Sequence, residues 1–146
     1  MAQRANAEEE LRRLSMEMRY LEQTADALQQ RISMVNAALT DINYANMTLD
    51  GIEKEKENSE MLIPIGGSSY VKVKLADTNK VIIGMGAGVS VEKTLPEAKA
   101  TLKERLDELE KTMHAAQQQF SQVAERMNSG RGRLENLLAS AREGKQ

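Results

Sequence analysis

The sequence contains no cysteine and no tryptophan, one phenylalanine, one histidine and two prolines in 146 residues. Without cysteine, disulfides and thiolate metal sites are excluded, and an intracellular location is allowed. With His114 as the single histidine, no histidine cluster can hold a metal. Aromatic residues make up only 3% of the chain. That is too few for an ordinary compact core, in which each aromatic ring buries a large area. No apolar run approaches the ~20 residues needed to span a bilayer. The N-terminal stretch MAQRANAEEE has no apolar segment, so no secretory signal is visible. A soluble, cytoplasmic protein is the expectation. The net charge of −2, with no large block of either sign, argues against nucleic acid or an anionic membrane as the main partner.

What the sequence has in quantity is Leu, Ala, Glu, Lys, Arg, Gln and Met, the usage of long helices and coiled coils. Alternating steps of three and four from Leu11 give Leu14, Met18, Leu21, Ala25, Leu28, Ile32, Val35, Leu39, Ile42, Asn46 and Leu49. This is a heptad seam. Its 3.5-residue period requires supercoiling against a partner helix. Glu, Arg, Gln and Asn between the seam positions supply a solvated flank. Asn46 either lies near a frayed helix end or fixes the register of the pair. A second seam begins at TLPE, where Thr94 and Glu97 have capping-box spacing and Pro96 falls in the first helical turn. It runs through Leu95, Ala98, Leu102, Leu106, Leu109, Met113, Ala116, Phe120, Val123, Met127, Gly130, Leu134, Leu137 and Ala141. Two successive four-residue steps, Ala98 to Leu102 to Leu106, form a stutter that relaxes the supercoil. Gly130 and Gly132 predict a soft point or kink, since each costs about 1 kcal/mol relative to Ala.

Between the seams the period changes to two. MLIPI (61–65), YVKVKL (70–75), VIIGMG (81–86) and GVSVEK (88–93) read as four short strands separated by GGSS, ADTN and a Gly86-Ala87-Gly88 turn. Two hairpins and a continuous meander fit this pattern equally. Pro64 cannot donate to a ladder and belongs on an edge strand. The two seams satisfy each other in an antiparallel helical hairpin, which leaves the strands unsatisfied. Four strands of this length bury too little to stand alone and expose their edges. Closure into a barrel with strands of other chains would solve both problems. The expected fold class is α+β. A coiled-coil helix over 1–58 and another over 94–146 flank an oligomerisation region of strands over 59–93, all in one domain.

The three alternating glycines Gly84, Gly86 and Gly88 resemble a dinucleotide loop only superficially. The third glycine of that motif is replaced by Val89, and an alternating strand follows where a helix is required. Turn formation through positive φ is the reading adopted. No Walker sequence and no serine with an accompanying base are present. The carboxylates lie among Lys and Arg on helix flanks. No catalytic constellation and no cofactor are expected.

The segments IPIGGSSYVKVKL, DTNKVIIGMGAGV and VEKTLPEA, set between two heptad helices, resemble the prefoldin family, and its alpha class in particular. The resemblance implies two β-hairpins and an ATP-independent chaperone subunit, not an enzyme. It further implies a hexamer of two alpha-class and four beta-class chains on a β-barrel platform. Such a complex would hold unfolded clients and deliver them to a group II chaperonin. Client contact is expected at the distal ends of the helices, where both termini meet. Leu11, Leu14, Met18, Leu134, Leu137 and Leu138 are the candidates there. Ile63, Ile65, Val71, Val73, Leu75, Val81, Ile82, Ile83, Val89 and Val91 are the candidate oligomerisation residues. Without the resemblance, the same features also describe a passive coiled-coil scaffold or adaptor docking a partner through its β insert.

Overall fold

The computed structural model describes residues 2–144. Residues 1, 145 and 146, the outermost positions of the two expected helical segments, lie outside the described residues. Helix α1 (Ala2–Glu53) leads to strands β1 (Glu60–Gly66), β2 (Ser69–Lys74), β3 (Lys80–Gly86) and β4 (Val89–Thr94), and helix α2 (Leu95–Glu143) follows. The chain divides into two compact units. One pairs α1 up to Asn36 with α2 from Lys111 onward, and the other comprises Ala37–Glu110.

In the first unit the helices are antiparallel, as the contacts show. Arg126 bonds Glu17 at 3.3 Å and Arg133 bonds Glu10 at 3.1 Å, so one number rises as the other falls. These exposed ion pairs add little stability, and the packed seam supplies most of it. Leu14, Leu21, Leu28 and Val35 of α1 are buried, and Ala116 is their buried counterpart on α2. The expected soft point is absent as a helix break, because α2 runs uninterrupted through Gly130 and Gly132. A Cβ on Gly130 would lie 2.6 Å from the Met18 sulfur, whereas one on Gly132 would meet nothing. Gly130 is thus a notch in the seam that admits Met18.

The second unit contains the other core. Leu49, Ile83, Leu95, Ala98 and Leu102 form a buried cluster, with Ala45 and Val81 packed against it. Asn46 is half-buried, and α1 continues to Glu53, so a frayed end is not its explanation. The helix stops at Glu53, short of the expected 58. Beyond Ile52 the EKEKE run offers no seam residue to pack, and helices in proteins depend on such packing. Lys99 of α2 bridges to both Asp50, at 2.9 Å, and Glu53 of α1. The two carboxylates that accept its hydrogen bonds raise the Lys99 pKa, Glu53 first. The capping box forms as its spacing requires. The Thr94 hydroxyl accepts from the Glu97 amide at 3.4 Å, and the Glu97 carboxylate accepts from the Thr94 amide at 3.3 Å.

The strands make two separate antiparallel hairpins, β1–β2 and β3–β4, which excludes the meander. Both turn by the same device. Gly67 and Ser68 have φ of 56° and 59°, and Ala87 and Gly88 have φ of 52° and 76°. Two consecutive positive φ values define a type I′ turn, whose twist matches that of paired strands. In each hairpin the register shifts by one residue just before the turn, between Pro64 and Gly66 and between Gly84 and Gly86. Ile65 and Met85 are the extra residues of these bulges. Of the three alternating glycines, Gly86 and Gly88 hold positive φ and Gly84 does not.

Candidate functional site

The apolar side chains divide unevenly between the hairpins. In β1–β2, Ile63 pairs with Val71, and Met61 with Val73, on one face. Leu62, Pro64 and Tyr70 occupy the other. Leu62 is 60% exposed, Ile65 64% and Tyr70 61%, and Ile63 and Val71 are also exposed. Both faces of this hairpin therefore present apolar surface to solvent, the condition that marks an interaction surface. Val73 and Leu75, nearer its base, are half-buried. In β3–β4 the two faces differ. Ile83 is 6% exposed in the core cluster and Val81 packs on that cluster, while Ile82 on the opposite face is 74% exposed. Val89 and Val91 are exposed. Of the ten expected oligomerisation residues, Ile83 is taken up by the chain's own core and is not available to a neighbour. The period-two pattern indicated that one face is apolar but not whether that face would be covered from within the chain.

At the end of the first unit where the termini approach each other, the six expected client residues are not equivalent. Leu14 is buried. Leu11, Met18, Leu134 and Leu137 are half-buried in the seam, and Leu138, one step off it, is exposed. Beyond Leu11 and Leu137 lies a groove of about 470 Å³, lined by Arg4, Ala7, Glu8, Leu11, Leu137 and Ala141 among others. Its origin is legible in the heptads. Extending the first seam backwards from Leu11 reaches Ala7 and then Arg4, and extending the second forwards from Leu137 reaches Ala141 and then Gly144. Small or charged residues therefore stand where two core layers should be. The helices continue, with Arg4 reaching the Gly144 carbonyl at 3.5 Å, but the core between them runs out. Extending the α1 seam past its last large residue would have found Ala7 and Arg4.

The flank of α1 is also less polar than its Glu, Arg, Gln and Asn residues suggested, since Met16, Tyr20 and Met34 are exposed on it. His114 is exposed. Among the described residues, no group of three His, Cys, Asp or Glu side chains could hold a metal ion, and no helix is long and apolar enough to cross a membrane.

Known proteins share this arrangement. The prefoldin subunit family pattern matches residues 21–138. The alpha subunit of prefoldin from Methanococcoides burtonii is 32% identical over 123 residues, 84% of this chain and 89% of its own. That from Methanopyrus kandleri is 33% identical over 82% of this chain and 78% of its own. That from Nitrosopumilus maritimus is 29% identical over 96% of each chain. Among solved structures, the filamentous PFD of Methanocaldococcus jannaschii superposes with a TM-score of 0.66 at 19% identity, over 77% of this chain and 93% of its own. The prefoldin beta subunit of Thermococcus strain KS-1 gives a TM-score of 0.58 at 18% identity, over 87% and 90%. At such identities the two structures speak for the fold alone. The family match and the alpha-subunit relatives, over most of the length, make the chain a member of the prefoldin family, whose subunits are chaperones rather than enzymes.

Proposed function

We propose that this chaperone subunit holds unfolded polypeptides at the end of its coiled coil without using ATP and passes them to a group II chaperonin. It does so within a cytoplasmic hexamer of two alpha-class and four beta-class chains, whose hairpins close a β-barrel platform. The observation that carries client holding is the groove beyond Leu11 and Leu137, left where Ala7 and Ala141 underfill the seam. An unfolded chain offers apolar side chains in irregular order. A groove with an apolar floor, a charged rim and no fixed polar demand accepts them without selecting a sequence. Exposed Leu138 extends the apolar surface, while Met18, seated in the notch at Gly130, belongs to the seam. Assembly is supported by the two exposed apolar faces of the β1–β2 hairpin, whose open edges call for further strands.

The test is to fill the groove. Ala7→Leu with Ala141→Leu fills the first of the two missing core layers, where these residues face each other. The expected result is a higher melting temperature for the chain, an unchanged mass for the complex with a beta-class partner, and weaker suppression of client aggregation in the absence of ATP. Client protection equal to wild type, with the melting temperature raised, would remove the groove from the client site. A wild-type complex that leaves client aggregation unchanged would refute the chaperone mechanism as a whole.

A further inference from the structure

We infer that Arg105 is a positioning residue for assembly: it latches the β3–β4 hairpin onto α2 and so fixes the direction in which Ile82, Val89 and the open strand edges face a neighbouring chain. The inference rests on the proposal that the hairpins mediate assembly. Arg105 lies on α2 and is half-buried. Its guanidinium donates to the Gly84 carbonyl at 2.6 Å and approaches the Met85 sulfur at 3.8 Å. Gly84 and Met85 stand at the bulge of β3, where the ladder shifts register. A bulge is the natural bending point of a hairpin, and a carbonyl there is the part of the strand whose direction is least constrained by pairing. A charged donor on a rigid helix constrains it, with a bond stronger than one between neutral groups.

The rest of this hairpin is held from its base to mid-strand. Ile83 is buried in the core cluster, Lys93 bonds the Thr101 hydroxyl at 3.1 Å, and the Leu95 amide bonds the Asn79 carbonyl at 2.9 Å. Arg105 is the tie closest to the turn. The β1–β2 hairpin has the same bulge and the same turn, yet among the described residues no side-chain bond joins it to either helix. Its base is closed only on itself, the Asn58 amide donating to the Leu75 carbonyl and the Leu75 amide to the Ser59 carbonyl, which continues the β1–β2 ladder. One hairpin is therefore aimed by its own chain, while the other is left to be oriented by what it meets. Fixing a surface before it binds lowers the ordering cost of association.

The test compares the full-length chain with its Arg105→Gln and Arg105→Lys variants. Hydrogen exchange of the β3–β4 amides is measured in the isolated chain, and affinity is measured for a beta-class prefoldin chain. Arg105→Gln is expected to speed exchange in β3–β4, leave β1–β2 unchanged, and weaken assembly about tenfold, the scale of one charged hydrogen bond. Arg105→Lys, which keeps the charge and a donor, should fall between wild type and Gln in both measurements. Unchanged exchange, or faster exchange with unchanged affinity, would overturn the latch. Failure of the wild-type chain to bind a beta-class chain at all would instead overturn the assembly proposal on which it rests.

Discussion

At the scale of single residues, the two helical glycines separate propensity from packing. Both lie in α2 just before Leu134, one of its last large seam residues, and both were expected to soften it. Gly132 faces open space, so a methyl group there costs nothing and removes backbone freedom from the unfolded chain. Gly132→Ala should stabilise the chain by about 1 kcal/mol, which at this length corresponds to a rise of about 3 °C in melting temperature. Gly130→Ala carries the same propensity gain but drives a methyl to 2.6 Å from the Met18 sulfur. Met18 must turn away and leave its notch, so the net change should be near zero or negative. The gain should reappear when Gly130→Ala is made in a Met18→Ala background, and thermal melts of the four proteins measure this coupling. Sequence periodicity placed Gly130 on the seam correctly. It could not reveal the notch, because that depends on which residue of the other helix stands opposite.

At the scale of elements, the legible features are those set by local or single-helix rules. Every position of the first seam from Leu11 to Leu49 is buried or half-buried, and the Thr94–Glu97 box closes in both directions. Even the stutter has a structural counterpart. Ala98 and Leu102 join a cluster containing both Leu49 of α1 and Ile83 of β3, so this stretch of α2 packs against two elements rather than one. What remained hidden were contacts between elements, of which Lys99 is a case. On the sequence it is one flank charge among many, yet it reaches across the helix pair to bond both Asp50 and Glu53 of α1. Its pKa is raised above the ordinary 10.5 by these two hydrogen-bonded carboxylates. A cation whose pKa is higher in the folded state contributes stability that is fully present below the unfolded value and lost as pH rises through the folded one. Lys99→Gln should therefore melt below wild type at pH 7 to 9, with the difference shrinking above pH 10.5. A difference independent of pH across that window would show that the side chain acts through packing of its stem alone.

At the scale of the whole molecule, the question is how a chain with so few aromatic residues divides its apolar side chains between its own stability and its neighbours. The strand pattern marks Val81, Ile82 and Ile83 as one apolar run, and nothing local distinguishes them. The fold does, because alternation along β3 turns Ile83 into the cluster with Leu49 and Leu102 while Ile82 stays 74% exposed. Adjacent isoleucines should therefore fail in opposite ways. Ile83→Ala opens a cavity beneath the hairpin and should destabilise the isolated chain by about 2 to 4 kcal/mol. Ile82→Lys removes little internal contact and should leave the stability of the isolated chain within about 0.5 kcal/mol of wild type, as exposed substitutions generally do. If Ile82 faces a partner, the lysine places an unpaired charge in that interface, and assembly with a beta-class chain should fail outright. Ile65→Lys, on the β1–β2 hairpin and 64% exposed, should behave like Ile82→Lys. Melting curves of the isolated variants and masses of the mixed complexes separate the two classes. Full assembly by both lysine variants would place the interface elsewhere on the chain. Loss of assembly at unchanged chain stability would show that these side chains are kept exposed in the monomer for the complex.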